Sequence, residues 1–264
     1  MRYAEYQPGQ SIARFVDRYW TLEGRGTGQP EPIFPDGRIE IVLHYGEPFE
    51  RHHPDGRIEQ QDAAIVVGQM HAPICIAPRG VVGVAGIRLK PAAGRCAIGC
   101  RADQISGQVV DLALCAPMGS LRERLAEAST DRGRIALLDD WVRRAVRVEP
   151  QRAVEAAVAS IDACRGAVDL KRIAREAGVG LRHLERQFNA DVGLSPKTYA
   201  RLVRLQAALR AVGTGRALAD VALVCGYYDQ AHMANDFAHL AQTSPAVWRR
   251  HAGELTPLFV STAV

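Results

Sequence analysis

The sequence predicts an α+β fold, in which a β-rich N-terminal part with flanking helices precedes an all-α C-terminal part. Short apolar runs rich in branched residues, bounded by Gly or Pro, occur throughout residues 1–115 and predict strands. From residue 120 onward, apolar residues instead recur at three- and four-residue steps, the period of an amphipathic helix. Two similar segments within residues 170–237 each predict a short helix, a tight turn and a second helix.

Three apolar runs predict buried strands at Ile39–Tyr45, Ala63–Val67 and Val81–Leu89. The hexapeptide Pro-Asp-Gly-Arg-Ile-Glu occurs at residues 35–40 and again at residues 54–59. Pro presets φ, Asp can accept a hydrogen bond from the following backbone, and Gly tolerates positive φ. Both copies therefore predict a tight turn that enters a strand. A duplicated functional motif is the alternative interpretation.

Helical spacing of apolar residues also predicts helices in the N-terminal part. Ser11–Trp20 is expected to form a helix capped by Ser11. Residues 120–148 are expected to form two amphipathic helices that could help the chain dimerise, the second of them capped by Asp131.

At 264 residues the chain is long enough for two ordinary domains. Pro150 interrupts the helical pattern and is expected to open a helix from Gln151 to about Cys164. We therefore expect a β-rich sensor or dimerisation domain at residues 1–149, with its helices near 120–148, and a helical domain at residues 150–264.

Composition favours a soluble protein, with 47% hydrophobic and 23% charged residues. Residues 1–15 are polar, and no uninterrupted apolar run approaches ~18 residues, so we expect a cytoplasmic protein with no membrane association. The six Cys are expected to be reduced thiols that pack in the core.

The excess positive charge lies in the C-terminal part. Residues 151–264 carry 14 Lys and Arg against 10 Asp and Glu, whereas residues 1–150 carry 19 of each. A polyanionic partner is therefore expected for the C-terminal part alone, since phosphate contacts need cations.

The two repeated segments share the features of one helix-turn-helix pattern. A small residue in the first helix lets the second helix cross closely, and Ala174 and Ala222 occupy that position. Gly178 and Gly226 suit the left-handed conformation of the turn. The apolar stripes of the second helices are Leu184 with Phe188 and Met233 with Phe237. Ser-Pro follows each Phe by seven residues, and this double match favours DNA recognition over two hairpins packed for folding alone.

The opposite face of each second helix is polar and is expected to contact DNA. It carries Arg182, Glu185 and Arg186 with Leu181 at its edge in the first copy, and Gln230, Ala231, His232 and Asn235 in the second. Arg can bond guanine bidentately, Glu can accept from cytosine, and Gln and Asn suit adenine. Because the second face has no Arg or Lys, we expect the first helix to supply most of the affinity and specificity. A helix over residues 196–211 is expected to hold the two motifs about 34 Å apart, in successive major grooves.

With these motifs, the stretch from about Ala153 to Arg250 resembles the DNA-binding domain of the AraC/XylS family of bacterial transcription regulators. The matching motifs are Ile173-Ala174, Gly178, Leu184–Phe188, Gly193–Pro196, Arg201–Leu209, Val221-Ala222, Gly226–His232, Phe237 and Ser244–Arg249. The resemblance implies sequence-specific binding to double-stranded promoter DNA. It assigns base contacts to Arg182, Glu185 and Arg186, and to His232 and Asn235 in the second motif.

Three positions depart from the family pattern. Gly180 stands where Ser usually caps the first reading helix, which is expected to weaken the helix start by a few tenths of a kcal/mol. Gln242 stands where Gly is frequent. Ala231 stands where a polar reading residue can occur, which weakens the case for base reading by the second motif.

The N-terminal part more loosely resembles an uncharacterised β-rich domain often found ahead of this DNA-binding domain. The resemblance rests on Trp20, the Pro35–Gly37 turn with its strand, and Gly86–Pro91. It implies effector sensing or dimerisation, so a small-molecule effector, a second copy of the chain and RNA polymerase stay open as partners besides DNA. The sequence leaves open the operator, the effector, the direction of regulation and the oligomeric state.

Two residue pairs could in principle supply the four ligands of a zinc ion. His71 and Cys75 lie four residues apart, and so do Cys96 and Cys100. Pro73 separates the first pair and the second lies among apolar residues, so core packing is the favoured interpretation. We expect no metal and no cofactor.

Catalytic motifs do not occur in the sequence: it has no phosphate-binding loop, nucleophile elbow or zinc-protease signature. We therefore expect a regulator rather than an enzyme. The alternative is a DNA-repair, methyl-accepting or other enzymatic N-terminal domain fused to the same DNA reader.

Overall fold

The computed structural model describes residues 1–166 and 169–250, and it has the expected α+β architecture. Its N-terminal part holds a six-stranded sheet in the order β1-β2-β9-β4-β7-β10 and a four-stranded sheet in the order β3-β8-β5-β6. Neighbouring strands in both sheets are antiparallel. The strands are β1 (Arg2–Tyr6), β2 (Val16–Thr27), β3 (Glu31–Ile33), β4 (Glu40–His44), β5 (Glu50–His52), β6 (Ile58–Gln60), β7 (Ala64–Val67), β8 (Ile74–Ala77), β9 (Arg79–Leu89) and β10 (Val109–Asp111).

The three predicted strands are confirmed as β4, β7 and β9, whereas the predicted helix over Ser11–Trp20 is wrong. A short 3-10 turn at Gln10–Ile12 leads instead into β2, which pairs with β1 and β9. The apolar residues in this segment are buried, as expected. Val16, Tyr19 and Trp20 reach the core from β2, whose pairing with β9 has a bulge between Val16 and Arg18, so strand pairing overrides the local helical spacing.

Helices α1 (Gly94–Ile98), α2 (Leu121–Glu127) and α3 (Asp131–Ala145) belong to the N-terminal part, and α2 and α3 confirm the two predicted amphipathic helices. Their apolar residues are buried in one cluster with residues of the six-stranded sheet. Those residues are Leu121, Leu125, Leu138, Trp141 and Val142. A dimer contact at these helices would therefore have to use their polar sides.

The predicted cap of α3 is wrong by one residue. Thr130 has extended backbone and its hydroxyl accepts a hydrogen bond from the Gly133 amide at 3.2 Å. Asp131 instead uses its carboxylate to accept from Arg2 at 2.6 Å and from the Tyr6 hydroxyl at 2.5 Å. It thus ties α3 to the first strand.

The C-terminal part contains seven helices within residues 152–166 and 169–250. They are α4 (Arg152–Ala163), α5 (Leu170–Glu176), α6 (Leu181–Val192), α7 (Pro196–Val212), α8 (Leu218–Val224), α9 (Gln230–Asp236) and α10 (Pro245–Arg250). A π-helical turn, Phe237–Ala241, follows α9. All seven helices contribute to one hydrophobic cluster, which Phe34 and Ala92 of the N-terminal part join. No helix in the described ranges has the length and apolar character needed to cross a membrane.

Both copies of the repeated hexapeptide form the predicted turn. The Asp36 carboxylate accepts from the Arg38 amide at 2.9 Å, and Asp55 accepts from the Arg57 amide at the same distance. The central glycines have φ of 78° and 86°. The two turns differ in their surroundings, because the first is packed against the helical part and the second is exposed.

We call residues 35–38 the docking turn, because they join the two parts of the chain. The Arg38 guanidinium donates to the Tyr199 hydroxyl at 2.8 Å, and that hydroxyl donates to Asp162 at 2.8 Å. Only 11% of the Arg38 side chain is exposed, so its charge lies between the domains and faces these two partners. Behind the turn, buried Arg88 pairs with Asp36 and, at 2.9 Å, with Glu40.

The docking turn approaches α7 closely. Buried Gln206 donates to the Pro35 carbonyl at 2.8 Å. A Cβ atom at Gly37 would lie 2.8 Å from the Tyr199 ring, and the φ of this residue is left-handed as well. Glycine is therefore required here both by the turn and by the packing.

Replacing Arg38 by Ala should lower the free energy of unfolding by about 1–3 kcal/mol, because it leaves the buried Tyr199 hydroxyl without its donor. The repeat supplies a matched control. Arg57 holds the same place in the exposed turn, and Arg57→Ala should change stability by less than about 0.5 kcal/mol. Urea unfolding of both variants measures the difference, and equal losses would contradict the role given to the docking turn.

Candidate DNA-binding interface

The first helix-turn-helix motif, called here the first head, consists of α5, its turn and α6. Asp169 begins α5 by accepting from the Lys171 and Arg172 amides at 2.9 and 3.2 Å. Ala174 is buried where the helices cross, and Gly178 has φ of 67°, as the sequence pattern predicts.

Helix α6 separates a buried stripe from an exposed polar face. Leu184 and Phe188 have no exposed surface. Arg182, Glu185 and Arg186 are exposed on the other side. This division follows from the three- and four-residue spacing of the apolar residues.

Two further residues of α6 lie at or beside this face. Leu181 is only partly buried and packs against the hydrophobic cluster of the C-terminal part. His183, which sequence reasoning missed, is exposed and its Nδ1 lies 3.0 Å from an Arg186 guanidinium nitrogen. The i, i+3 spacing of these two residues on a helix is the signal that could have identified the contact.

The second head consists of α8, its turn and α9. Gly226 has φ of 80°, and the Asp229 carboxylate begins α9 by accepting from the His232 amide at 2.7 Å. The predicted reading residues Gln230, His232 and Asn235 lie on α9, and all three are exposed. Tyr228, also missed from the sequence, is 87% exposed in the turn just before α9.

Helix α7 connects the heads and is anchored to each of them. The Tyr199 ring lies 5.8 Å from the Phe188 ring of the first head. Arg201 donates to the carboxylate of Asp236, at the end of α9, at 2.7 and 2.9 Å. Asp236 is 2% exposed, so the carboxylate of this ion pair is shielded from water, whereas the Arg201 side chain is partly exposed. Because both heads pack on one helix, their relative position is set by α7.

The N-terminal part also holds the far end of α6. Buried Asp191 lies 3.4 Å from the Arg95 guanidinium of α1, and Asn189 donates to Asp103 at 3.2 Å. The helix ends at Gly193, where an added Cβ would lie 2.9 Å from the Ala102 carbonyl oxygen. One half of α6 therefore contacts the N-terminal part, while the half that carries the predicted reading residues is exposed.

The residues considered as zinc ligands lie apart on separate elements. His71 bonds to the Ser106 hydroxyl at 2.8 Å, and Cys75 lies on β8 of the smaller sheet. Cys96 is buried in α1, where burial raises the pKa of its thiol to about 12 and disfavours the thiolate that binds metals. Within residues 1–166 and 169–250, no group of three or more His, Cys, Asp or Glu is placed to hold a metal ion.

Two family models match the chain. Residues 173–251 match a model described as "Helix-turn-helix domain", and residues 4–111 match "Domain of unknown function (DUF6597)". No curated protein matches the chain.

Three solved structures illustrate what the chain is similar to. ToxT from Vibrio cholerae is 9% identical over 93% of this chain and 99% of its own, with a TM-score of 0.48. A regulator with an AraC-type DNA-binding domain from Chromobacterium violaceum is 25% identical over 37% of this chain and 89% of its own, with a TM-score of 0.35. The DNA-binding domain of AdpA, in complex with a target DNA, is 22% identical over 38% and 92%, with a TM-score of 0.35.

The helix-turn-helix match, at residues 173–251, extends over both heads and supports a DNA-binding transcription regulator. The C-terminal part of the chain is an AraC-type helix-turn-helix domain, which confirms the resemblance found in the sequence, and its N-terminal part is a DUF6597 domain.

Substitutions at Gly178 and Gly180, in the turn of the first head, should have opposite effects on stability. Gly180 begins α6 with φ of −71° and no side-chain cap, and an added Cβ there would meet no atom within 4 Å. Gly180→Ser should therefore stabilise the protein by about 0.5–1 kcal/mol, through the added cap and the stiffer unfolded chain. Gly178→Ser has equal space but a left-handed φ, so it should cost about 1–2 kcal/mol. Urea unfolding measures both variants, and a change of the same sign in the two would contradict the roles given to these glycines.

Proposed function

We propose that the chain binds promoter DNA by placing α6 and α9 in adjacent major grooves on one side of the duplex. One observation carries this proposal. Helices α6 and α9 each bury an apolar stripe against α7, and each presents a polar face on its outer side. Adjacent major grooves lie about 34 Å apart, and a single rigid connector suits that fixed separation.

The first head supplies most of the affinity and specificity in this proposal. Its exposed face carries Arg182 and Arg186, which can bond guanine edges, and Glu185, which can accept from cytosine. His183 is placed to orient the Arg186 guanidinium through the contact at 3.0 Å. The outer face of α9 carries no Arg, Lys, Asp or Glu, so its contribution is weaker and comes from Gln230, His232 and Asn235.

The N-terminal domain, which we place at residues 1–149 ahead of a DNA-binding domain at 150–264, modulates this binding without catalysing a reaction. It contacts α7 through the docking turn and α6 through Asp191 and Asn189. A conformational change in this domain can therefore be transmitted to both heads. A small-molecule effector is the signal that this arrangement favours, because a ligand held between the two domains would contact both of them.

Arg186→Ala should weaken binding to a selected operator by about 1–3 kcal/mol and relax the preference at one base pair. The operator is first obtained by sequencing genomic fragments that the full chain retains, and affinity is then measured by fluorescence anisotropy on single-base variants. Arg147→Ala, at an exposed site in the N-terminal domain, is the control. A loss that is uniform over all sequences would show that Arg186 contacts phosphate rather than a base.

The two heads should contribute unequally. The double variant Arg182→Ala with Arg186→Ala should lose at least about a hundredfold in operator affinity, because two charge-assisted contacts disappear. His232→Ala with Asn235→Ala should lose about tenfold or less, since this pair of residues includes no Arg or Lys. Anisotropy titrations at one fixed salt concentration compare the two, and a larger loss in the second double variant would reverse the assignment.

A further inference from the structure

We propose that Tyr228 is a DNA-contacting residue of the second head, and that its hydroxyl donates a hydrogen bond to a backbone phosphate beside α9. The inference rests on the function proposed above and adds a contact to the weaker of the two heads. Tyr228 is 87% exposed, which makes it the most exposed large hydrophobic side chain within residues 1–166 and 169–250. Its ring and hydroxyl are therefore accessible to a partner molecule.

The turns of the two heads share one packing position. The Val179 amide donates to the Ala174 carbonyl at 2.9 Å in the first head, and the Tyr227 amide donates to the Ala222 carbonyl at the same distance in the second. Val179 packs against the hydrophobic cluster of the C-terminal part, and Tyr227 belongs to that cluster. Val179 and Tyr227 therefore hold equivalent places.

After this position the second turn is one residue longer than the first, and Tyr228 is the additional residue. In the first head, Gly180 follows Val179 directly and is the N-cap of α6. In the second head, Tyr228 lies between Tyr227 and the N-cap of α9, which is Asp229. Because Tyr227 provides the packing of this turn and Asp229 caps the helix, Tyr228 is available for a contact outside the chain.

The backbone on both sides of Tyr228 is held in place. Tyr227 is 3% exposed, and its ring lies 5.2 Å from the His232 ring and 5.6 Å from the Arg204 guanidinium. The Asp229 carboxylate accepts from the His232 amide at 2.7 Å. Little backbone freedom is therefore lost when Tyr228 engages a partner, which lowers the entropic cost of binding.

Tyr228 borders the face that is proposed to read DNA. Residues 228–232 are all exposed, so the accessible surface is continuous from the turn to Gln230 and His232. With α9 in a major groove, a side chain in the turn before it lies toward the wall of the groove, which consists of sugar and phosphate. Tyr is among the residues that donate to phosphate oxygens in protein–DNA interfaces.

An uncharged donor suits this position. Asp229 is exposed, and its negative charge would repel a phosphate that came close to it. The Tyr228 side chain is longer than that of Asp229, so its hydroxyl can reach a phosphate that lies beyond the carboxylate. Since the outer face of α9 carries no Arg or Lys, a phenol donor gives the second head a contact to the DNA backbone that α9 itself does not supply.

The test measures the operator affinity of the full chain by fluorescence anisotropy, on the operator selected for the proposed function. Tyr228→Phe should weaken binding about three- to thirtyfold, because it keeps the ring and removes one hydrogen bond to a charged acceptor. Leu114→Ala removes a side chain that is 82% exposed in the N-terminal domain, and it should leave the affinity unchanged. Wild-type affinity in Tyr228→Phe would overturn the proposal.

Two further readouts distinguish a phosphate contact from a base contact. The loss in Tyr228→Phe should be the same on every single-base variant of the operator, because phosphates carry no sequence information. In duplexes with one phosphate at a time replaced by an uncharged methylphosphonate, one position should weaken the wild type and have much less effect on Tyr228→Phe. A loss confined to one base pair, or additive losses at all phosphate positions, would contradict the contact.

Urea unfolding excludes a structural role for the hydroxyl. Tyr228→Phe should unfold at the wild-type midpoint, because the side chain lies largely in solvent, and a lower midpoint would count against the proposal. Arg186→Ala separates this inference from the proposed function. If Arg186→Ala weakens operator binding and Tyr228→Phe does not, the phosphate contact falls and the proposed function stands. If the wild-type chain retains no DNA, the proposed function falls and the contact falls with it.

Discussion

The contact between Arg38 and α7 constrains most of the arrangement of the two domains. A guanidinium placed between them is stable there only while Tyr199 and Asp162 face it, because an unpaired buried charge is strongly disfavoured. Intermediate positions of the two domains would lose these hydrogen bonds without giving Arg38 access to water. The interface is therefore suited to two discrete arrangements, docked and separated, rather than to gradual sliding.

A change at the Arg38 contact would affect both heads, because α7 packs against each of them. The Phe188 ring lies near the ring of Tyr199, whose hydroxyl accepts a hydrogen bond from Arg38. Arg201 forms an ion pair with Asp236 at the end of α9. A shift of α7 at the docking turn would thus be transmitted to α6 and α9 together. A further contact between the two domains, the ion pair of Asp191 in α6 with Arg95, independently restrains the first head.

The sequence predicted those features that neighbouring residues encode. Gly178, with the apolar stripe of α6, specifies its turn and helix locally, so the helices and turn of the first head could be predicted correctly. Ser11–Trp20 was assigned wrongly because the same apolar residues suit a helix or a bulged strand, and pairing with β9 decided between them. The repeated hexapeptide shows the limit most clearly. Residues 35–38 and 54–57 are identical and form the same turn, yet only tertiary packing makes the first an interdomain contact.

The position of the docking turn also restricts how regulation can work. With the N-terminal domain docked, Arg182, Glu185 and Arg186 remain exposed, and so do Gln230 and His232. The domain contacts α7 and the far end of α6, and it leaves both reading faces open. The proposed modulation would therefore not act by covering these faces in this arrangement. In the binding mode proposed above, the two heads would enter successive grooves together, so DNA binding would be sensitive to small changes in their relative orientation. The docking turn and α7 set that orientation.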